Sequence, residues 1–429
     1  MKTLLKNAHI ICDDKTVIKN GYIGIENETI IYVGNEKPTD KYDTEKDMSN
    51  KLIIPGIVNA HTHNPMTITR GVGSDLPLLT WLDMVMPIED NFSDFDNMIG
   101  SRLAWMELLA GGVTSCSDMY SFPDCTIEDI ANIGGKINIA RGVLCFDENQ
   151  SAMENDRVKE SLYLYDTYNN TANGRIKVDF CFHAEYTNKE KIVREFSAMC
   201  KERNANLHIH LSESKKEHED CIARYGKTPT KWFYDLGAFE NPLMAAHCVQ
   251  LTDEDIDIFK NHDTYILHNP TSNLKLGSGI APIQKYLENG LNITLATDGA
   301  GSNNNLNMFE EMHLAAILHK GAMQNPTIVS PRDVFNMVTK NGAKMQKRAD
   351  TGVLAVGKKA DLAAIDLDKP HLIPHEDLFA TLVYTAQASD VCMTMVDGKI
   401  LYENGQFFTI DAEKTMAEFK ESVGRLIHN

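Results

Sequence analysis

The chain has 429 residues, 43% of them hydrophobic and 24% charged, and 42 Lys and Arg against 60 Asp and Glu leave a net charge of −18. An acidic surface of that size disfavours polyanions such as DNA or RNA and suits neutral, cationic or zwitterionic small molecules. No run is long and apolar enough to span a membrane, residues 1–8 do not read as a signal peptide, and the nine cysteines without a C-x-x-C pair fit a reduced, cytoplasmic protein.

Residues 4–11, 21–25 and 29–33 are short, β-branched segments punctuated by Asn and Gly, and they predict a small sheet. From Leu52 the pattern changes to alternating strands and helices. Eight apolar strand segments are expected at 57–60, 113–117, 138–143, 177–183, 207–211, 243–247, 264–268 and 292–297. Helical stretches separate them, at 94–110, 155–168, 189–203, 253–260 and 282–288. Eight strands with intervening helices favour a (β/α)8 TIM barrel over an open doubly wound sheet. Helices follow at 306–320 and 331–344. Strand character then returns at 362–366, 380–384, 391–396 and 399–402, with Asp397-Gly398 as the turn of a hairpin, before a final helix over 412–427. The economical arrangement is an α/β chain in which residues 1–55 and 347–429 form one small composite β-sandwich domain and residues 56–346 form the catalytic barrel inserted between them. The segment from Gly352 to Lys359 approaches a phosphate loop, but it ends in Lys where the Mg²⁺-binding hydroxyl belongs and precedes a strand instead of a helix, so nucleotide-triphosphate binding is excluded.

Functional groups in such barrels stand at the C-terminal ends of the strands. The first strand ends in His61 and His63, the fourth in His183, the fifth in His210 followed by Glu213, the sixth in His247 and the eighth in Asp298. Neutral imidazoles and a carboxylate are ligands for Zn²⁺ or a similar divalent ion, and a bound ion lowers the pKa of water from about 15.7 to about 7. His61, His63, His210 and Asp298 are the candidate ligands, with Asp298 also placed to take a proton from water. Zn²⁺ is the preferred ion, and Fe²⁺ and Mn²⁺ suit a His₃Asp set as well. Glu213 is the candidate proton shuttle, and His247 the candidate partner of the water or of the developing oxyanion. His268, at the seventh strand end, is assigned to orienting its loop.

This set resembles the amidohydrolase superfamily. The likeness is carried by Pro55-Gly56-Ile57-Val58-Asn59-Ala60-His61-Thr62-His63, by His208-Ile209-His210-Leu211-Ser212-Glu213, by Ala246-His247-Cys248 and by Thr297-Asp298-Gly299-Ala300. Some members place a bridging Lys on the fourth strand to hold two metals; His183 stands there instead, so the resemblance implies one metal. Within the superfamily the chain is most similar to the 5-methylthioadenosine/S-adenosylhomocysteine deaminases. Trp81, the segment Met86-Pro87-Ile88-Glu89-Asp90 and the run from His268 to Pro282 carry that likeness. It implies hydrolytic deamination of an adenine nucleoside at C6, with Glu89 on the ribose hydroxyls, His183 against the nucleoside, Glu213 on the purine, Arg141 and Arg157 at the 5′ substituent, and Trp81 near the substrate. The partner is then a small-molecule nucleoside, with no nucleic acid or membrane, and a homo-oligomer is compatible with this reading. Triazine chlorohydrolases and guanine or other heterocycle deaminases share the metal motifs and form the near alternative; a non-catalytic scaffold that has lost the ligands forms the distant one.

Overall fold

The computed structural model describes residues 1–427. Five strands open the chain: β1 (Lys2–Ile11), β2 (Val17–Glu26), β3 (Thr29–Gly34), β4 (Thr44–Asp47) and β5 (Lys51–Pro55). Eight strands follow: β6 (Ile57–Thr62), β7 (Val113–Tyr120), β8 (Lys136–Val143), β9 (Ile176–Phe182), β10 (Leu207–Leu211), β11 (Leu243–His247), β12 (Thr264–His268) and β13 (Asn292–Leu295). After further helices come β14 (Leu362–Asp366), β15 (Val391–Val396), β16 (Lys399–Glu403) and β17 (Gln406–Phe407), and the described chain ends in the helix Ala412–Ile427.

Strands β6 to β13 pair in sequence order, each parallel to the next. A side-chain amide draws the two edges together where no strand ladder does. Asn59 Nδ2 donates to Thr297 Oγ1 at 2.7 Å and the Thr297 N–H donates to Asn59 Oδ1 at 3.1 Å. The Asp298 N–H then donates to the His61 carbonyl at 3.0 Å. These bonds give a nearly closed barrel and bring the first and last strand ends into register.

The second sheet combines both chain ends in the order β17-β16-β15-β14-β5-β1-β2-β3, with β4 on β1. It joins the barrel at Gly56, between β5 and β6. A Cβ there would lie 2.1 Å from Thr114 Oγ1, so only glycine allows the crossing. The segment expected as a strand at 380–384 is helical instead, with an α turn at Leu378–Ala380 running into a π-helical turn at Thr381–Thr385. Asp377 Oδ1 accepts the N–H groups of Phe379 and Ala380 and so starts the turn. Leu382 and Val383 are buried there in the outer core, which supplies the contacts that β-branched residues would otherwise gain from a sheet. The loop from Gly352 to Lys359 leads to β14 and opens no helix.

Alternation along the barrel strands separates two environments. Leu207, Ile209 and Leu211 enter the large outer core beneath the helices. His208 and His210 therefore face the barrel axis. The same parity would send His247 outward with Leu243 and Ala245. Left-handed backbone at His247 (φ +73°) and Cys248 (φ +48°) ends the alternation, and the His247 ring stands 5.5 Å from His210 and 5.8 Å from His61, centroid to centroid. All nine cysteines are free thiols. No helix among the described residues is long and apolar enough to cross a membrane.

Candidate metal centre and substrate cavity

The strand ends converge as their spacing implies. Single ligand atoms from His61, His63 and Asp298 lie within 4.8 Å of one another, as do those from His61, His210 and His247. His61 Nε2 and His63 Nε2 approach Asp298 Oδ1 at 3.4 and 3.2 Å, and His210 Nε2 stands 3.3 Å from His63 Nε2.

The other ring nitrogens are occupied. The His63 Nδ1–H donates to the Met119 carbonyl at 2.5 Å, and the His210 Nδ1–H to the His183 carbonyl at 2.8 Å. His61 Nδ1 meets His208 Nε2 at 3.0 Å. The two carbonyls fix the Nδ1–H of His63 and His210 and so turn their Nε2 atoms toward the cluster, and His208 holds the His61 ring in the same sense. His61 Nε2 is fully buried and has no hydrogen-bond partner. A buried nitrogen in that state costs free energy unless something binds it. Burial pushes the His61 imidazole down to about 4. Burial alone would raise the Asp298 carboxyl, but its contacts with His61 and His63 hold it well below the ordinary value. Burial would lower the His63 imidazole, but Asp298 beside it raises it to about 9. A divalent ion would displace that proton, and three imidazole nitrogens and one carboxylate at this separation fit such an ion.

The carboxylate is fixed from behind. Ser272 and Ser302 each donate Oγ–H to Asp298 Oδ2 at 2.7 Å, leaving Oδ1 toward the histidines, where the Gly299 N–H also reaches it at 2.8 Å. Asp298 has φ +65°, a left-handed value that is uncommon for a residue other than glycine and typical of functional sites. At the neighbouring Gly299 a Cβ would come within 3.0 Å of His63 Cβ, so glycine is the residue that lets the loop close on the ligands.

Glu213 and His247 flank the centre, with His247 Nε2 3.8 Å from Glu213 Oε2. Burial raises the Glu213 carboxyl, and the Ser278 hydroxyl donates to its Oε1 at 3.3 Å. His247 Nδ1 lies 2.8 Å from Asn273 Oδ1 and 3.3 Å from Asn269 Nδ2, which leaves Nε2 for the cavity. Ser272 and Asn273, on the short helix Pro270–Lys275, and Ser278 and Ser302, in loops, escaped the reading of strand ends; their signal was the polar run around them, without a role for any one residue.

A cavity of about 340 Å³ opens from this centre, of a size that suits a small-molecule ligand. Its wall includes Trp81, Glu89, Arg141, Arg157 and His183 together with Tyr120 and Phe92. Glu89 is the last residue of the helix Leu78–Glu89 and accepts the Tyr120 hydroxyl on Oε1 at 2.7 Å; burial raises its carboxyl. Asp90, the adjacent acid, also lines the cavity. His183 Nδ1 meets the Thr187 hydroxyl at 3.3 Å, and burial pushes the imidazole down to about 3. Trp81 is buried among Met66, Leu78 and Val85, and its Nε1–H donates to the Val72 carbonyl at 3.1 Å, so its main contacts are packing. The arginines are differently held. Arg141 pairs through Nε with Glu160 at 2.7 Å, whereas Arg157 donates to the Gly142 carbonyl at 3.1 Å, and burial with the nearby Arg141 pushes its guanidinium down to about 10. His268 is fully buried beside His319, ring centroids 5.5 Å apart, and neither of its nitrogens has a hydrogen-bond partner.

The chain is 40% identical over 431 residues, with full coverage of both proteins, to the 5-methylthioadenosine/S-adenosylhomocysteine deaminase of Thermoanaerobacter pseudethanolicus. It is 39% identical to the 5'-deoxyadenosine deaminase of Methanosarcina acetivorans, covering 91% of this chain and 90% of that protein. Among solved structures, an adenosine deaminase from Xanthomonas campestris with bound zinc superposes with a TM-score of 0.93 at 27% identity, covering 100% of this chain and 99% of that one. Residues 52–401 match the Amidohydrolase family, and with the His₃Asp cluster standing at the barrel strand ends inside that span, this protein belongs to the amidohydrolase family.

Proposed function

We propose that the protein is a metal-dependent hydrolytic deaminase of adenine nucleosides, of the 5-methylthioadenosine, S-adenosylhomocysteine, 5'-deoxyadenosine and adenosine type. The observation that carries this reading is the placement of Glu89 and His183 in the same cavity as the His₃Asp cluster and Glu213. A bare heterocycle has no diol to occupy a buried carboxylate such as Glu89, whereas a ribose offers two hydroxyl donors to it. Relatives about 40% identical, one over 100% and one over 91% of this chain, carry deaminase names of this class.

His61, His63, His210 and Asp298 would hold one divalent ion, Zn²⁺ by preference, which supplies a water of lowered pKa at neutral pH. Asp298 would take a proton from the attacking water. Glu213, kept protonated more readily by burial, donates to purine N1 and makes C6 electrophilic. His247 donates Nε2–H to the oxygen that adds at C6 and steadies it as negative charge develops. On collapse the C6 hydroxyl returns a proton to Glu213, Asp298 gives its proton to the exocyclic nitrogen, and ammonia departs to leave an inosine-type product. Glu89 binds the ribose hydroxyls, His183 and Trp81 bound the nucleoside, and Arg141 and Arg157 face the 5′ substituent.

An ammonia-release screen tests this. The metal-loaded protein is presented with adenosine, 5'-deoxyadenosine, 5-methylthioadenosine, S-adenosylhomocysteine, adenine, guanine and chlorotriazines, with chloride release followed in parallel. Ammonia from the nucleosides is expected. Turnover confined to bare bases or triazines would overturn the proposal.

A further inference from the structure

We infer that Glu217, which touches neither the ligand cluster nor the cavity, is a positioning residue that sets the catalytic geometry of Glu213. Glu213 stands on a short turn between β10 and the helix Lys215–Tyr225. The residue before it, Ser212, has left-handed backbone, φ +49°, in a side chain that is not glycine. Such a turn persists only where its surroundings over-determine it.

One carboxylate does so. Glu217 Oε1 accepts the Ser212 N–H at 3.0 Å, and Oε2 accepts the N–H groups of Glu213 at 2.7 Å and Ser214 at 3.3 Å. Three consecutive backbone donors converge on a single buried side chain, which is itself held by Ser214 Oγ accepting the Glu217 N–H at 3.1 Å. An N-terminal capping box needs only the last of these donors. The other two tie down Glu213 and the strained residue before it. The same turn then anchors a second one: the Ser212 carbonyl accepts the N–H groups of Val249 and Gln250, both at 3.0 Å, and Leu211 accepts that of Cys248 at 3.0 Å. Glu217 thus fixes the turn that carries Glu213 and, through it, the left-handed turn that aims His247 into the cavity.

An amide at position 217 keeps the size of the side chain and loses one acceptor oxygen, so at least one of the Ser212, Glu213 and Ser214 N–H groups is left unpaired. A misplacement near 1 Å in a reacting group costs on the order of 100-fold in rate. The inference rests on the role proposed for Glu213. The test is steady-state deamination of 5'-deoxyadenosine by metal-loaded wild type, Glu217→Gln and Glu217→Asp, with metal content measured on each. Expected for Glu217→Gln is a loss in kcat of about 10- to 100-fold, KM within about 3-fold of wild type and one metal per chain, because the nucleoside wall and the ligands are untouched. Glu217→Asp, which keeps both acceptor oxygens on a shorter arm, is expected to recover part of kcat, and it carries the test by the same kcat and KM criteria if the amide variant does not fold. A kcat within about 3-fold of wild type, or a KM that rises in proportion to the loss, would overturn the inference. Wild type without activity on any adenine nucleoside would instead overturn the proposed function, so the two failures read differently.

Discussion

The two ends of the barrel bury polar groups in opposite ways. At the N-terminal end the charged side chains are paired, although Arg348 Nε is buried without a partner. Lys136 lies between Asp361 at 2.5 Å and Asp397 at 2.7 Å, tying the first turn of β8 to the second sheet. Arg348 spends its two terminal nitrogens on the carbonyls of Gly174, Ile137 and Arg175 and on Asn138 Oδ1. At the C-terminal end, His61 Nε2 and both nitrogens of His268 are buried without partners, and Ser212, His247 and Asp298 are held in left-handed backbone. Both ends are built from charged and polar residues. The first is arranged for stability and the second for binding, and the number of partners each group already has separates them.

Breaking the C-terminal end should abolish activity and leave the fold standing. His210→Ala is expected to lose metal and to lower deamination by on the order of 10³-fold or more, checked by elemental analysis and ammonia release on the same sample. Glu213→Gln should keep metal and lose about 10²- to 10⁴-fold in kcat, the span of general acid–base catalysis. Retention of full kcat by this variant would remove Glu213 from the chemistry. Breaking the N-terminal end should do the reverse. Lys136→Ala leaves Asp361 and Asp397 uncompensated and is expected to cost about 3–5 kcal/mol in denaturant unfolding, with near-normal kcat for the molecules that remain folded. A large kcat defect without a stability loss would erase the contrast. The smallest effect falls on the cavity wall. Glu89→Gln should weaken kcat/KM for nucleosides by about 1.5–3 kcal/mol, the worth of a charged hydrogen bond, and equal kcat/KM in the variant and wild type would place the ribose elsewhere.

The same division explains what was readable beforehand. The ligand cluster was legible because each of its members ends a short apolar strand, and barrel topology puts all strand ends on one mouth. The cavity wall was less so. Glu89 closes a helix whose extent no periodic pattern announced, and the pairing of Arg141 with Glu160 joins a strand to a helix that no local spacing links. The segment Thr381–Thr385 was misjudged because a β-branched composition does not say which neighbours will bury it.

The sequence by itself determined the order of the eight barrel strands, the barrel between two sheet-forming ends and the seven polar residues at its mouth, since these follow from periodicity of 2 and 3.6 and from what stands at each strand end. Only the tertiary structure decided how those residues are aimed. The tautomers of His63 and His210 depend on the carbonyls of Met119 and His183, Asp298 is oriented by Ser272 and Ser302, and Glu213 is set by Glu217. Many of these partners come from other strands and loops, and hydrogen-bond direction is a property of where the chain returns in space, which no local pattern encodes.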